Sequence, residues 1–165
     1  MRLGLIADSG RVITATGVKP IAPQLWTRDN FWLYGVIDPV QGWHFTQEYP
    51  HLNSTHFQAF IDAVSQQLGD DIALMQMDQA KAHQAKALRW PDNLIPVMQP
   101  PYSPELNPIE RFWQHIRYLL RHERVNCMTQ LRAHANQILD SLNSQQIASL
   151  TSYDFILEAL FCAAI

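Results

Sequence analysis

Four prolines fall within ten residues of this chain, at Pro100, Pro101, Pro104 and Pro108 of the segment Gln99 to Pro108. Proline fixes φ and has no backbone N–H, so neither a helix interior nor a central strand can run through such a segment. The chain must therefore finish one element before it and start another after it. Leu94 to Met98 reads as the strand before it, weakened by Pro96. A helix is predicted to follow, with Asn107 as N-cap and Pro108 at its first helical position. Phe112, Ile116, Leu119 and Leu120 supply its apolar face.

Other elements can be placed around this pivot. Arg11 to Thr14 favours a strand, and Gly17 to Pro23 a loop. Phe31 to Ile37 is aromatic and β-branched over strand length. Asp38 to Gly42 should connect it, as a hairpin, to a strand over Trp43 to Tyr49. Asn53-Ser54-Thr55 opens a helix whose Phe57, Phe60, Ile61, Val64 and Leu68 share a face, and Gly69 stops it. Ile72 to Met77 is a short buried strand ending at Asp78. Further helices are predicted over Met128 to Leu142 and Tyr153 to Leu160. Strands first, then strands alternating with helices, indicate a mixed α/β sheet covered by helices.

Composition narrows the class. With 165 residues, 47% of them hydrophobic and 16% charged, the chain suits one folded domain and not a disordered one. The most apolar stretch, Phe155 to Ile165, is short of the roughly 20 residues of a membrane span and contains Glu158. Cys127 and Cys162 lack metal-ligand spacing, so a soluble cytoplasmic domain is expected. The net charge of −3 is unevenly spread: residues 81–132 carry +4 and the remainder −7. A polyanion would be drawn to the first part, although an ordinary solvated helix face has the same composition.

Two carboxylates stand where chemistry could sit. Asp78 ends a strand, and ligand crevices of α/β sheets lie beyond carboxyl ends of strands. It equally suits a loop start or a helix cap. Glu110 follows 32 residues later, three positions after Asn107. That is capping-box spacing, which would give Glu110 a purely structural role. Alternatively, both carboxylates converge on Mg²⁺, a cation that takes oxygen ligands and keeps several waters. His83 could orient a water or touch phosphate, or be an ordinary loop histidine. No phosphate-binding glycine loop, dinucleotide fingerprint, zinc site or nucleophile elbow is present.

The run Pro100-Pro101-Tyr102-Ser103-Pro104-Glu105-Leu106-Asn107-Pro108-Ile109-Glu110-Arg111-Phe112-Trp113 resembles the signature of the DDE transposases of bacterial insertion sequences related to the mariner group. Leu33 to Val36 with Asp38-Pro39 and Gly42, Phe57 to Phe60, Met77 to His83, and Ile147 to Ile156 resemble other stretches of that family in the same order. The resemblance implies a ribonuclease H-like fold and an Asp, Asp, Glu triad binding two Mg²⁺ ions, with Mn²⁺ as a substitute. Asp78 matches the second triad member and Glu110 the third. The reaction implied is cleavage of transposon ends and strand transfer into target DNA.

The match is incomplete at the start. The family's first Asp lies in Asp-Glu-x-Arg-x-Gly-Leu, and Met1-Arg2-Leu3-Gly4-Leu5 matches only the latter part. The triad Asp would stand two positions before Met1; neither Asp8 nor Asp38 replaces it. The expectation is a partial DDE catalytic domain over residues 1–165. It would lack most of its first strand and the N-terminal helix-turn-helix region, and be inactive alone. DNA is the expected partner, through Arg111, Arg117, Arg121 and Arg124, at the nucleoid. Self-association or pairing with a full-length transposase, in a regulatory and non-catalytic role, is the alternative.

Overall fold

The computed structural model describes residues 1–5, 14–19, 29–121, 123 and 125–163, with side chains to Glu158. Its elements run β1 (Arg2–Gly4), β2 (Asn30–Ile37), β3 (His44–Tyr49), α1 (Ser54–Leu68), β4 (Ala73–Met77), β5 (Leu94–Met98), α2 (Ile109–Leu120), α3 (Met128–Ser141), α4 (Ser144–Thr151) and α5 (Asp154–Ala163). A 3-10 turn, Pro104–Leu106, precedes α2.

Most of these match the sequence reading. Asp38 closes the hairpin by accepting the N–H groups of Val40 and Gln41 at 2.8 and 3.1 Å. The Asn53 side chain caps α1 by accepting from His56 N–H at 2.8 Å. Helix α4 was not anticipated. Its apolar content is low, and the signal that defines it is a capping box between Asn143 and Gln146. The strand expected over residues 11–14 lies largely outside the described residues, as does the end of the loop expected over 17–23.

The strands form two sheets. One has the order β1-β2-β3, all antiparallel, and the other is the parallel pair β4-β5. Pro96 is accommodated because, among the described residues, β5 pairs on one side only. Helix α1 packs against both sheets. Its buried Phe57, Phe60, Ile61 and Val64 pack against Tyr34 of β2, Met75 and Met77 of β4, and Leu94 of β5. The opposite face of β2 is covered by α2, α3 and α4. There Leu33 meets Phe112, Trp113, Ile116, Leu139 and Ile147. Fully burying side chains of this size contributes about 1.5–3 kcal/mol each. No helix among the described residues is long and apolar enough to cross a membrane.

Two features place the later elements. Gly35 gives Trp113 room: a Cβ at position 35 would lie 2.5 Å from Cη2 and 2.8 Å from Cζ2 of the indole. Strand β1 is short, and its ladder continues only through Met1. The Met1 ammonium donates to Leu33 O at 2.6 Å, and Leu33 N–H donates to Met1 O at 2.8 Å.

Gly35→Ala should cost about 1–3 kcal/mol through overpacking against Trp113. Chemical denaturation checks this, and a loss under half a kilocalorie would contradict the packing. Burial lowers the Met1 ammonium from its ordinary 8.0 to about 6. The unfolded chain then takes up this proton before the folded one does, so stability falls as pH drops from 8 to 6. The expected loss is about 2–3 kcal/mol. Denaturation midpoints across that range should show it in the 165-residue chain, and N-terminal acetylation should remove it.

Candidate metal centre and its flanking basic helix

Asp78 sits one residue past β4, where the backbone turns into a loop of small and polar residues. Its Oδ1 accepts from Ala80 N–H at 3.1 Å and lies 2.7 Å from His83 Nδ1. The same nitrogen is 3.3 Å from the Asp78 carbonyl, so Nδ1 faces two acceptors and carries the proton. The His83 ring rests on Phe57, with centroids 4.3 Å apart. The loop-start reading of Asp78 is thus correct locally, yet the carboxylate stays exposed and available.

Glu110 is in the first turn of α2. The capping box open to it on spacing does not form. Asn107 turns its side chain to Ile109 N–H at 3.3 Å, and its carbonyl accepts Glu110 N–H at 3.0 Å. Pro108 is already helical at φ −58°, ψ −29°. Asn107 therefore caps from outside the helix without a return bond. The Glu110 carboxylate, half-buried, has no hydrogen-bond partner among the described residues.

The start of α2 is brought toward the end of β4 by two amides. Gln76 donates to Leu106 O at 2.9 Å, and Gln79 donates to Gln99 O at 2.8 Å, so both ends of the proline segment are tied to β4 and its loop. As a result Asp78 and Glu110 line one cavity of about 480 Å³, together with Met1, Gly35, Trp113 and Arg117. The electrostatics agree: both carboxylates oppose the burial that lowers the Met1 ammonium, Glu110 more than Asp78.

Two hard oxygen donors on a strand end and a helix start suit one divalent cation that keeps several waters. Among the described residues no group of three His, Cys, Asp or Glu side chains is placed to hold a metal. The two-ion centre expected from the sequence is therefore not complete within them.

The arginines divide. At about 100° per residue, Arg117 and Arg121, seven and eleven residues after Glu110, fall on its side of α2, and both are exposed. Arg111 lies about a quarter-turn away, with its guanidinium 4.9 Å over the Tyr153 ring. Arg124 lies outside the described residues. Sequence reasoning missed Tyr102, fully exposed and held at φ +61° between prolines. A non-glycine residue in that region is strained, and a Pro-Pro-Tyr-Ser-Pro string is the signal that could have marked it.

The chain is similar to several known proteins. A curated relative, "Uncharacterized protein y4pE/y4sA" of Sinorhizobium fredii, is 31% identical over 87 residues, which is 52% of this chain and 64% of that protein. The chain thus spans less than two thirds of that relative. Among solved structures, the Mos1 transposase paired-end complex with left transposon end is similar with a TM-score of 0.67 at 14% identity, covering 92% of this chain and 49% of that one. The Mos1 strand transfer complex gives a TM-score of 0.67 with 90% and 48% coverage. This likeness shows the fold, a ribonuclease H-like mixed α/β domain. The model of the DDE superfamily endonucleases matches residues 2–132, and the chain belongs to that family.

Proposed function

We propose that this chain is a DNA transposase catalytic domain acting by divalent-metal-dependent cleavage and strand transfer, with transposon ends and target DNA as substrates. The observation that carries this reading is the convergence of Asp78 and Glu110, 32 residues apart, on one cavity. These two carboxylates would hold Mg²⁺, with Mn²⁺ as a substitute. When bound, the metal supplies charge stabilisation to a phosphodiester and a more acidic water or 3′-hydroxyl.

The protein's own side chains have distinct tasks. His83, donating from Nδ1, fixes the rotamer of Asp78, so the second carboxylate oxygen is the one left for a cation. Glu110 keeps an unbonded carboxylate because Asn107 takes over the capping of α2. Arg117 and Arg121 continue the Glu110 face and would neutralise phosphates of the DNA backbone. Arg111 and Arg124 are proposed as further phosphate contacts on sequence grounds.

A third carboxylate is missing from the cavity among the described residues. The 165-residue chain alone is therefore expected to nick DNA at background level. The exposed face of Arg117 and Arg121 also suits a second reading, in which the chain binds DNA or a full-length transposase at the nucleoid and regulates transposition without catalysis.

Mn²⁺ titration followed by electron paramagnetic resonance should give a saturable site, weakened about tenfold by either Asp78→Asn or Glu110→Gln. Robust plasmid nicking by this chain that survives Asp78→Asn would refute the assignment. DNA affinity should fall steeply with salt. Arg117→Ala and Arg121→Ala should each lower the slope of log K against log salt by about 1. Affinity indifferent to salt would exclude a phosphate-binding face.

A further inference from the structure

Residues 79–91, which leave Asp78 and lead toward β5, hold Lys81, Lys86 and Arg89 and no acidic residue. The segment contains no helix or strand, yet its backbone is held throughout. Two turns set the lysines. His83 N–H donates to Ala80 O at 2.9 Å and Leu88 N–H to Ala85 O at 3.0 Å, so Lys81 and Lys86 each occupy the second position of a hydrogen-bonded turn. Between them Ala82 is buried, and His83 rests on Phe57 of α1. The far end is clasped by the same helix. Gln58 Oε1 accepts Arg89 N–H at 2.7 Å, and Gln58 Nε2 donates to Arg89 O at 2.8 Å. Trp90 then meets Phe57 edge-on, with centroids 6.1 Å apart. What the segment leaves exposed includes all three cations. None of them is in an ion pair among the described residues.

The segment forms one wall of the cavity of Asp78 and Glu110. Ala80 and His83 line that cavity beside Phe57, on the side of α1. Ile109, Glu110, Trp113 and Arg117 line it from α2, which covers the opposite face of β2. Positive charge therefore stands on both sides of the two carboxylates, from the loop and from Arg117 and Arg121 on α2. A phosphodiester approaching Asp78 and Glu110 is repelled by them, and cations on both sides offset that repulsion.

We propose that Lys81, Lys86 and Arg89 form a second phosphate-binding surface, so that a DNA duplex crosses the cavity with its backbone held by the loop as well as by α2. This rests on the DNA reading above and needs no metal. The spacing of the cations favours a polymer over a single anion. Lys81 and Lys86 do not line the cavity of Asp78, and Arg89 faces a separate shallow cleft with Asp62 and Trp90. Charges strung along a segment in this way suit a row of phosphates.

The chain has three lysines, Lys19, Lys81 and Lys86, so a lysine footprint reads the surface directly with an exposed internal control at Lys19. The native chain is acetylated with a limiting amount of an amine-reactive ester at low salt, alone and with a short random-sequence duplex, and each lysine is read by mass spectrometry. Lys81 and Lys86 should be protected at least about threefold by the duplex, with Lys19 unchanged. Equal reactivity with and without DNA, equal protection of all three lysines, or protection by polyglutamate as strong as by the duplex overturns the proposal. The footprint uses the unaltered chain, so its outcome does not depend on how a variant folds. In a second measurement, the combined Lys81→Gln, Lys86→Gln and Arg89→Gln variant should lower the slope of log K against log salt by about 2–3, in addition to the change from Arg117→Ala and Arg121→Ala. If the α2 variants lower the slope and the loop variant does not, the second surface is rejected and the DNA reading stands. If neither lowers it, the DNA reading fails as well.

Discussion

The approach of Trp113 to the bare backbone of Gly35 is the contact on which the candidate site depends. It lets α2 settle directly on β2, with Ile109 beside the same glycine, so the first turn of the helix reaches the edge of the sheet. Leu33, Phe112 and Ile116 then bury around it and hold the helix in that seat. Glu110 owes its position in the cavity to this seating. The amide of Gln76 brings the preceding segment to β4, and hence Glu110 toward Asp78. A packing contact and a side-chain hydrogen bond thus assemble two acidic groups from distant parts of the sequence.

Helix capping shows how local chemistry and function share residues. A capping box would have engaged the Glu110 carboxylate at its own helix start. The structure uses Asn107 alone, approaching from an extended conformation after the 3-10 turn. Asp78 follows the opposite course: it serves its loop through Ala80 and is braced by His83, yet remains open to solvent. One carboxylate is free because a neighbour took its structural task, the other because it performs that task with a single oxygen.

Much of this was legible in the chain itself. The alternation of Phe31 to Ile37, the face of Phe57, Phe60, Ile61 and Val64, and the proline stop before α2 are local signals, and all three elements form where those signals lie. The resemblance on Pro100 to Trp113 pointed to the family to which the chain belongs. Less was legible where the cause is long-range or unmarked by apolar spacing. Helix α4 depends on the reciprocal cap of Asn143 and Gln146. The division of the strands into two sheets depends on where β1 stops pairing, which no periodicity reports. The choice between capping and cavity for Glu110 turned on a difference in the Asn107 backbone that spacing alone does not encode.

The central claim, that Asp78 and Glu110 form one metal-binding pair, is tested most directly by a crystal structure of the chain grown with Mn²⁺, using anomalous scattering to locate the ion. The account predicts a peak with one oxygen from each carboxylate at about 2.0–2.2 Å, the remaining positions being water. A peak bound to only one of the two, or ions only elsewhere on the surface, would contradict it.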